Sequence, residues 1–156
     1  MRVGLWVVML CVLSACTTTG AVARAARAQQ NAAVVLAFVD TVFNKHDVIK
    51  AFKLYVGPNY RQHNRRAAEE IKGAIEGLNH FTQELYPQLR QEVQRTVAQG
   101  DLVAVHVRQM RHLEDRQTGR GEAVIDIFRL EQGKIVEQWE VSEELSGYAT
   151  NDHTMF

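Results

Sequence analysis

The apolar residues of this chain change their period at Pro87, and no other feature restricts the fold as much. Upstream, Val34, Val35, Phe38, Val39, Val42 and Phe43 recur at helical spacing, which predicts an amphipathic helix over residues 31–44 ended by Asn44. Asp47 can cap a second helix that carries Val48, Ile49, Phe52, Tyr55 and Val56 and stops at Gly57-Pro58. A third, over 73–86, presents Ile75, Leu78, Phe81 and Leu85, with Pro87 marking its end. Downstream the pattern alternates, and residues 90–98, 102–113, 121–131 and 134–145 read as strands. Gly100-Asp101, Gln117-Thr118-Gly119 and Gln132-Gly133 supply the turns. Consecutive strands joined by short turns are antiparallel. Helices first and a meander afterwards is an α+β pattern: a cone of N-terminal helices packed on one face of a curved antiparallel sheet. Phe38, Phe81 and Phe128 are expected between the two layers, and a pocket at the open end of the sheet is the expected binding site.

The N-terminus carries a different message. Val3 to Leu13 is apolar apart from Gly4, a run of eleven residues. A helical membrane span needs about 20, so the run reads as a signal peptide. Leu13-Ser14-Ala15-Cys16 resembles a bacterial lipobox, in which the cysteine thiol receives a diacylglyceryl group and becomes the first residue after cleavage. Cleavage after Ala26-Arg27-Ala28 is the competing reading, farther from the apolar run. The expected organisation is a signal peptide over 1–15, a flexible tether over 16–30 rich in Thr, Ala, Gly, Arg and Gln, and one domain over 31–156. The expected location is the cell envelope, anchored through lipidated Cys16 and facing the periplasm or the exterior. With Cys11 removed and Cys16 lipidated, no thiol remains for a disulfide, so the domain must hold without staples. Loss of Arg2 from 18 basic and 18 acidic residues leaves a net charge near −1, which argues against a nucleic-acid partner.

Several residues are candidates for chemistry. Asp126 lies in Val124-Ile125-Asp126-Ile127-Phe128, on a strand face that otherwise carries Val124, Phe128 and Leu130. If that face points inward, desolvation raises the carboxyl pKa and suits it to proton transfer. Ile125 and Ile127 keep the opposite orientation open. A two-residue turn at Gln132-Gly133 would pair Leu130 with Ile135 and set Trp139 opposite Asp126. A three-residue loop with a bulged Gly133 would pair Leu130 with Lys134, set Gln138 opposite Asp126 and put Glu140 next on the same face. The first position of the tighter turn disfavours Gln, so the longer loop is expected, and with it two carboxylates in one pocket. His106, in an otherwise apolar strand, is a candidate proton shuttle or else a satisfied core histidine. Tyr60-Arg61-Gln62-His63-Asn64 offers donors and acceptors for a small polar ligand, or caps for neighbouring backbone. The histidines have no metal-ligand spacing, and the sequence contains no phosphate loop or nucleophile elbow; neither metal nor organic cofactor is expected.

These segments together resemble the SnoaL-like polyketide cyclase family, of nuclear transport factor 2-like fold. The residues concerned are Tyr60 to Asn64, Gly77-Leu78 and Phe81, Gly100 to His106, Val124 to Leu130, and Gly133 to Glu140. The resemblance covers residues 31–156. It implies a cone pocket in which an acid/base carboxylate and a polar partner close a ring by intramolecular aldol condensation without metal or organic cofactor. The acid follows the tryptophan, so the resemblance assigns it to Glu140; the partner falls at Asp126, where the cyclases carry histidine. Glu thus stands for Asp, and Asp for His, so ring closure on a polyketide does not carry over directly.

Two functions compete. One is a cofactor-independent aldol-type or isomerase reaction on a small enolisable carbonyl compound, with Asp126 or Glu140 as base and His106 or the second carboxyl on the enolate oxygen. Tyr60, Gln62, His63, Asn64, Phe81, Phe128 and Trp139 would then bind the substrate, an apolar or ring-containing molecule. The other is a domain that binds a small ligand, or dimerises through its sheet, without turnover. A homodimer is expected in either case.

Overall fold

The computed structural model describes residues 5–145 apart from 66, 69 and 119, together with 153–156, and describes side chains from residue 20 onward. Its elements are α1 (Leu5–Val39), α2 (Val48–Tyr55), β1 (Val56–Gln62), α3 (Ile71–Asn79), β2 (Arg90–Gln99), β3 (Leu102–Met110), α4 (Leu113–Thr118), β4 (Gly121–Glu131) and β5 (Lys134–Leu145). α1 and α3 each run into a π-helical turn, at Asp40–Asn44 and His80–Leu85. Helices thus precede a curved, open five-stranded sheet of order β1-β5-β4-β3-β2, the α+β cone that the change of period implies. Asp47 caps α2 as expected, its side chain accepting from the Lys50 amide.

Four expectations need correction. The stretch expected to be a tether is helical, because α1 begins at Leu5 and continues through it. Alanine, arginine and glutamine are strong helix formers. The end of this stretch also docks: Ala28 and Asn31 are buried, and the Asn31 amide donates to the Gly100 carbonyl at 2.9 Å. The side chain of Cys16 lies outside the described residues, as do residues 1–4. Second, Gly57-Pro58 ends α2 but does not begin a loop; both residues sit in β1, which runs parallel to β5 and makes the sheet mixed. Proline is tolerated there because β1 is an edge strand. Third, strand β3 stops at Met110, and residues 113–118 form α4. Among the described residues, no helix is long and apolar enough to cross a membrane.

The fourth correction concerns the β4–β5 hairpin. Its turn is the two-residue type, with Gln132 (φ 50°) and Gly133 (φ 74°) both left-handed, and Leu130 pairs with Ile135. One rung later, however, Arg129 pairs with Glu137. Val136 is therefore an extra residue, a bulge that shifts the register by one. Beyond it Phe128 faces Gln138 and Asp126 faces Glu140. The two carboxylates do share a face, but a tight turn followed by a bulge puts them there.

The concave face of the sheet packs on the helices. Val103, Val105, Val107, Val124, Phe128 and Ile135 meet Val35, Phe38, Val42, Val48 and Phe52, all buried. Phe38 is the hub, edge-on to Phe52 at 5.7 Å and to Phe128 at 5.9 Å. Such pairs add to area burial because ring edges and faces carry opposite partial charge. Phe81 is only partly buried, at the margin of this core beside Tyr86.

Candidate functional site

Strand alternation decides which side chains reach the interior. On β4 the even residues Glu122, Val124, Asp126 and Phe128 are buried on the concave face, whereas Ile125 and Ile127 are exposed on the other. Asp126 is 1% exposed. Its register partner Glu140 is half-buried, nearer solvent on the same face. Burial first, and the Glu140 charge second, push the Asp126 carboxyl up from 3.8 to about 7, against a hydrogen bond from Gln138 that pulls it down.

A directed chain of hydrogen bonds surrounds this pair. The Asn64 backbone amide donates to Gln62 Oε1 at 2.9 Å, and Gln62 Nε2 donates to the Tyr60 hydroxyl at 3.0 Å. Tyr60 donates to Gln138 Oε1 at 2.8 Å, and Gln138 Nε2 donates to Asp126 Oδ1 at 2.8 Å. Asn64 Nδ2 closes the ring by donating to Glu140 Oε1 at 3.0 Å. Every donor in the first series points toward Asp126. Oδ1 is therefore committed as an acceptor, which leaves Oδ2 as the oxygen to carry a proton. Burial, with the two carboxylates, pushes the Tyr60 hydroxyl well above its ordinary value and keeps it a neutral donor.

The cluster Tyr60 to Asn64 reaches this ring because its first residues continue β1. Tyr60, Gln62 and Asn64 meet the interior, while Arg61 and His63 are exposed. His63 stacks on Trp139, with centroids 4.6 Å apart and planes 3° from parallel, and its Nε2 lies 3.6 Å from Glu137. Glu137 is paired in turn with Arg129. His63 and Trp139 thus stand on the convex face, away from Asp126, since the bulge turns Gln138 and Glu140 inward and Trp139 outward. His106 is misplaced for the same role. Val105 is the register partner of Asp126, so its neighbour His106 points to the opposite face, 3.1 Å from Arg95 and stacked on Phe156. Phe128 is the register partner of Gln138 and packs edge-on against Phe38, whereas Phe81 packs edge-on against Tyr86. Gln138 is the functional residue that sequence reasoning did not assign: the longer loop put it on the face of Asp126, but between Glu137 and Trp139 nothing marked it as the hydrogen-bond partner of that carboxyl.

The matching family covers the whole cone up to this glutamine: residues 35–138 fit the SnoaL-like domain. The chain belongs to that family. A comparison with curated proteins finds no match. Among solved structures, this SnoaL-like protein is similar to AclR of Streptomyces galilaeus, described as a hydroxylase, with TM-score 0.61 and 19% identity over 74% of this chain and 90% of that one. A protein of Jannaschia sp. CCS1, described as a SnoaL-like polyketide cyclase, gives TM-score 0.57 and 21% identity over 74% and 86%. An NTF2-like protein of unknown function from Mesorhizobium loti gives 0.59 and 18% over 75% and 93%. At these identities the likeness is one of fold.

Among the described residues the surface of the SnoaL-like domain carries the following two concavities. One, of about 460 Å³, is lined by Ile49, Phe52, Val56, Pro58, Ile71 and Ile75. The other, of about 590 Å³, lies by the β4–β5 turn between Asn31, Val34, Leu130 and Gly133. Neither includes Asp126 or Glu140. Among the described residues, no group of three or more His, Cys, Asp or Glu is placed to hold a metal ion.

Proposed function

We propose that this SnoaL-like protein is a cofactor-independent acid–base catalyst acting on a small enolisable carbonyl compound. The observation that carries the reading is a buried carboxyl, Asp126, directly opposite a more exposed one, Glu140, with an amide network orienting both. Glu140 takes the proton α to the carbonyl, and the electrons of that C–H bond form the enolate double bond. Asp126, neutral through burial, donates from Oδ2 to the developing enolate oxygen. The enolate carbon then adds to a second carbonyl in an aldol step, the oxygen of that carbonyl taking back the proton held by Glu140, or Glu140 returns the proton to a different carbon in an isomerisation. The polyketide cyclase description of the Jannaschia relative favours the first outcome. The test is exchange of α-hydrogens of simple ring ketones in deuterated water, followed by NMR. Exchange by the wild type and its loss in Glu140→Gln supports the reading. Exchange unchanged in both Glu140→Gln and Asp126→Asn overturns it.

Ligand binding without turnover is the second reading. It is favoured by one observation, a concavity of about 460 Å³ with a mostly apolar lining that includes Ile49, Phe52, Val56, Ile71 and Ile75.

We further propose a homodimer built through the convex face. There Val97, Ala104, Ile127 and Trp139 are successive register partners across four strands, and Ile127 and Val97 are 39% and 68% exposed. An apolar row of this kind is the signature of an association surface. Export and lipidation at Cys16 complete the proposal, on the strength of Leu13-Ser14-Ala15-Cys16. The helix from Cys16 to Asn31 would then hold the domain roughly 22 Å from the lipid.

A further inference from the structure

We infer that Gln62 is a positioning residue: it sets the direction of the hydrogen-bond chain that ends on Asp126, and so decides which oxygen of that carboxyl presents the proton. This rests on Asp126 acting as the acid. The chain has one end that cannot be reversed. A backbone N–H only donates, so the Asn64 amide, 2.9 Å from the Gln62 side chain, must meet its carbonyl oxygen. The bond is local, from a side chain to its own backbone two residues on, and no replacement at position 64 other than proline removes the donor.

Every later step follows from that end. Gln62 is in register with Gln138, and the His63 amide donates to the Gln138 carbonyl at 2.9 Å, so the two side chains are held together. Gln62 Nε2 donates to the Tyr60 hydroxyl at 3.0 Å and lies 3.3 Å from Gln138 Oε1. Tyr60, having accepted, gives its own proton to Gln138 Oε1, and the Gln138 NH2 is left for Asp126 Oδ1. Turning Gln138 over by itself would set its NH2 against that of Gln62, two donors 3.3 Å apart. A carboxyl at position 62 makes this anchor a switch. Neutral, it keeps both roles of the amide, since its carbonyl accepts from Asn64 and its O–H donates to Tyr60. Ionised, it only accepts. The Tyr60 proton then turns toward it, Gln138 rotates its NH2 toward Tyr60 and position 62, and the Gln138 carbonyl faces Asp126. The carboxyl proton passes from Oδ2 to Oδ1 to meet that carbonyl. Asp126 stays neutral but offers its proton to Gln138, and Oδ2 has none for the enolate oxygen.

Exchange of the α-hydrogens of cyclohexanone in deuterated water, followed by NMR as a function of pH, tests this on the full-length wild type, Gln62→Met and Gln62→Glu, with the introduced carboxyl titrated by carbon NMR. Gln62→Met has no donor to offer Tyr60 and should lose at least about tenfold at every pH, part of the roughly 10²–10⁴ that a positioned acid contributes. Gln62→Glu should match the wild type at the same pH while its new carboxyl is protonated, and lose at least about tenfold as that carboxyl ionises, so that its activity fails at lower pH than that of the wild type. A charge effect alone has the opposite sign, because a new anion beside Asp126 favours the neutral carboxyl and extends activity to higher pH. Wild-type rates in Gln62→Met, or exchange in Gln62→Glu that continues undiminished through ionisation of the new carboxyl, overturn the inference and leave Asp126 standing as the acid. No exchange by the wild type overturns the acid–base reading, and the role of Gln62 with it.

Discussion

Asp126 and Glu140 face each other across β4 and β5 on the same side of the sheet, yet the first is buried and the second only half-buried. One carboxyl is thereby biased toward its neutral form by the protein, while the other stays nearer solvent.

That bias makes stability depend on pH. The Asp126 carboxyl titrates near 7 in the folded chain, against about 3.9 in the unfolded one. Between those values the folded chain holds a proton that the unfolded chain has lost, so stability falls as pH rises through the window and levels off above 7. Asp126→Asn keeps the shape and removes the titration. It should be more stable than wild type above pH 7 by roughly 2–4 kcal/mol, with the difference vanishing toward pH 4. Urea unfolding of both proteins across the window checks this; parallel pH profiles would mean that Asp126 ionises in the fold at no cost.

The hairpin turn offers a stabilising change. Gln132 adopts a left-handed conformation with φ of 50°, which glutamine tolerates poorly. Asn-Gly is the favoured pair for a two-residue turn with both residues left-handed. Gln132→Asn should therefore raise stability by about 0.5–1 kcal/mol. Thermal unfolding reads it, and a destabilised variant would speak against the two-residue turn.

On the convex face, Ile127 is the central apolar residue of its cross-strand row. Ile127→Lys should convert a dimer into a monomer while leaving the melting temperature of the protomer within a few degrees, since in one protomer the side chain faces water. Light scattering after size exclusion distinguishes the two states. A wild type that is monomeric at high concentration would remove the dimer proposal.

At the N-terminus, Cys16→Ser should release the exported protein from the membrane fraction, because acyl chains on this cysteine are the anchor proposed. Fractionation followed by immunoblotting checks it. Retention of the serine variant on membranes would overturn the lipoprotein reading.

Period and turn chemistry made most of this fold legible. The four C-terminal strands were readable from alternation, and their predicted limits agree with the observed ones to within a few residues. β1 was not readable, because Val56-Gly57-Pro58-Asn59 has turn composition and becomes a strand only through pairing with β5. Residues 16–30 misled for the opposite reason: their small and polar side chains suit a linker, yet their helix propensity is high and the preceding and following turns are helical. At the site, Asp126 was legible as a charge within an apolar run. The roles of Gln138, Trp139, His63 and His106 were not, because each depends on which face a strand turns inward. On β5 that is settled by the bulge at Val136, which has no local mark, and on β3 by the pairing of Val105 with Asp126.

The bulge carries a last consequence, for how such chains change length. Deleting one residue from a strand ordinarily exchanges its two faces, core for surface. Val136 is the exception in β5, because it has no partner: without it, Leu130 with Ile135 and Arg129 with Glu137 become adjacent rungs of an unbroken ladder, and every later pair stays in place. Relatives can therefore differ by one residue at this point without turning their interiors inside out. An alignment gap here marks a change of strand curvature and leaves the constellation around Asp126 intact.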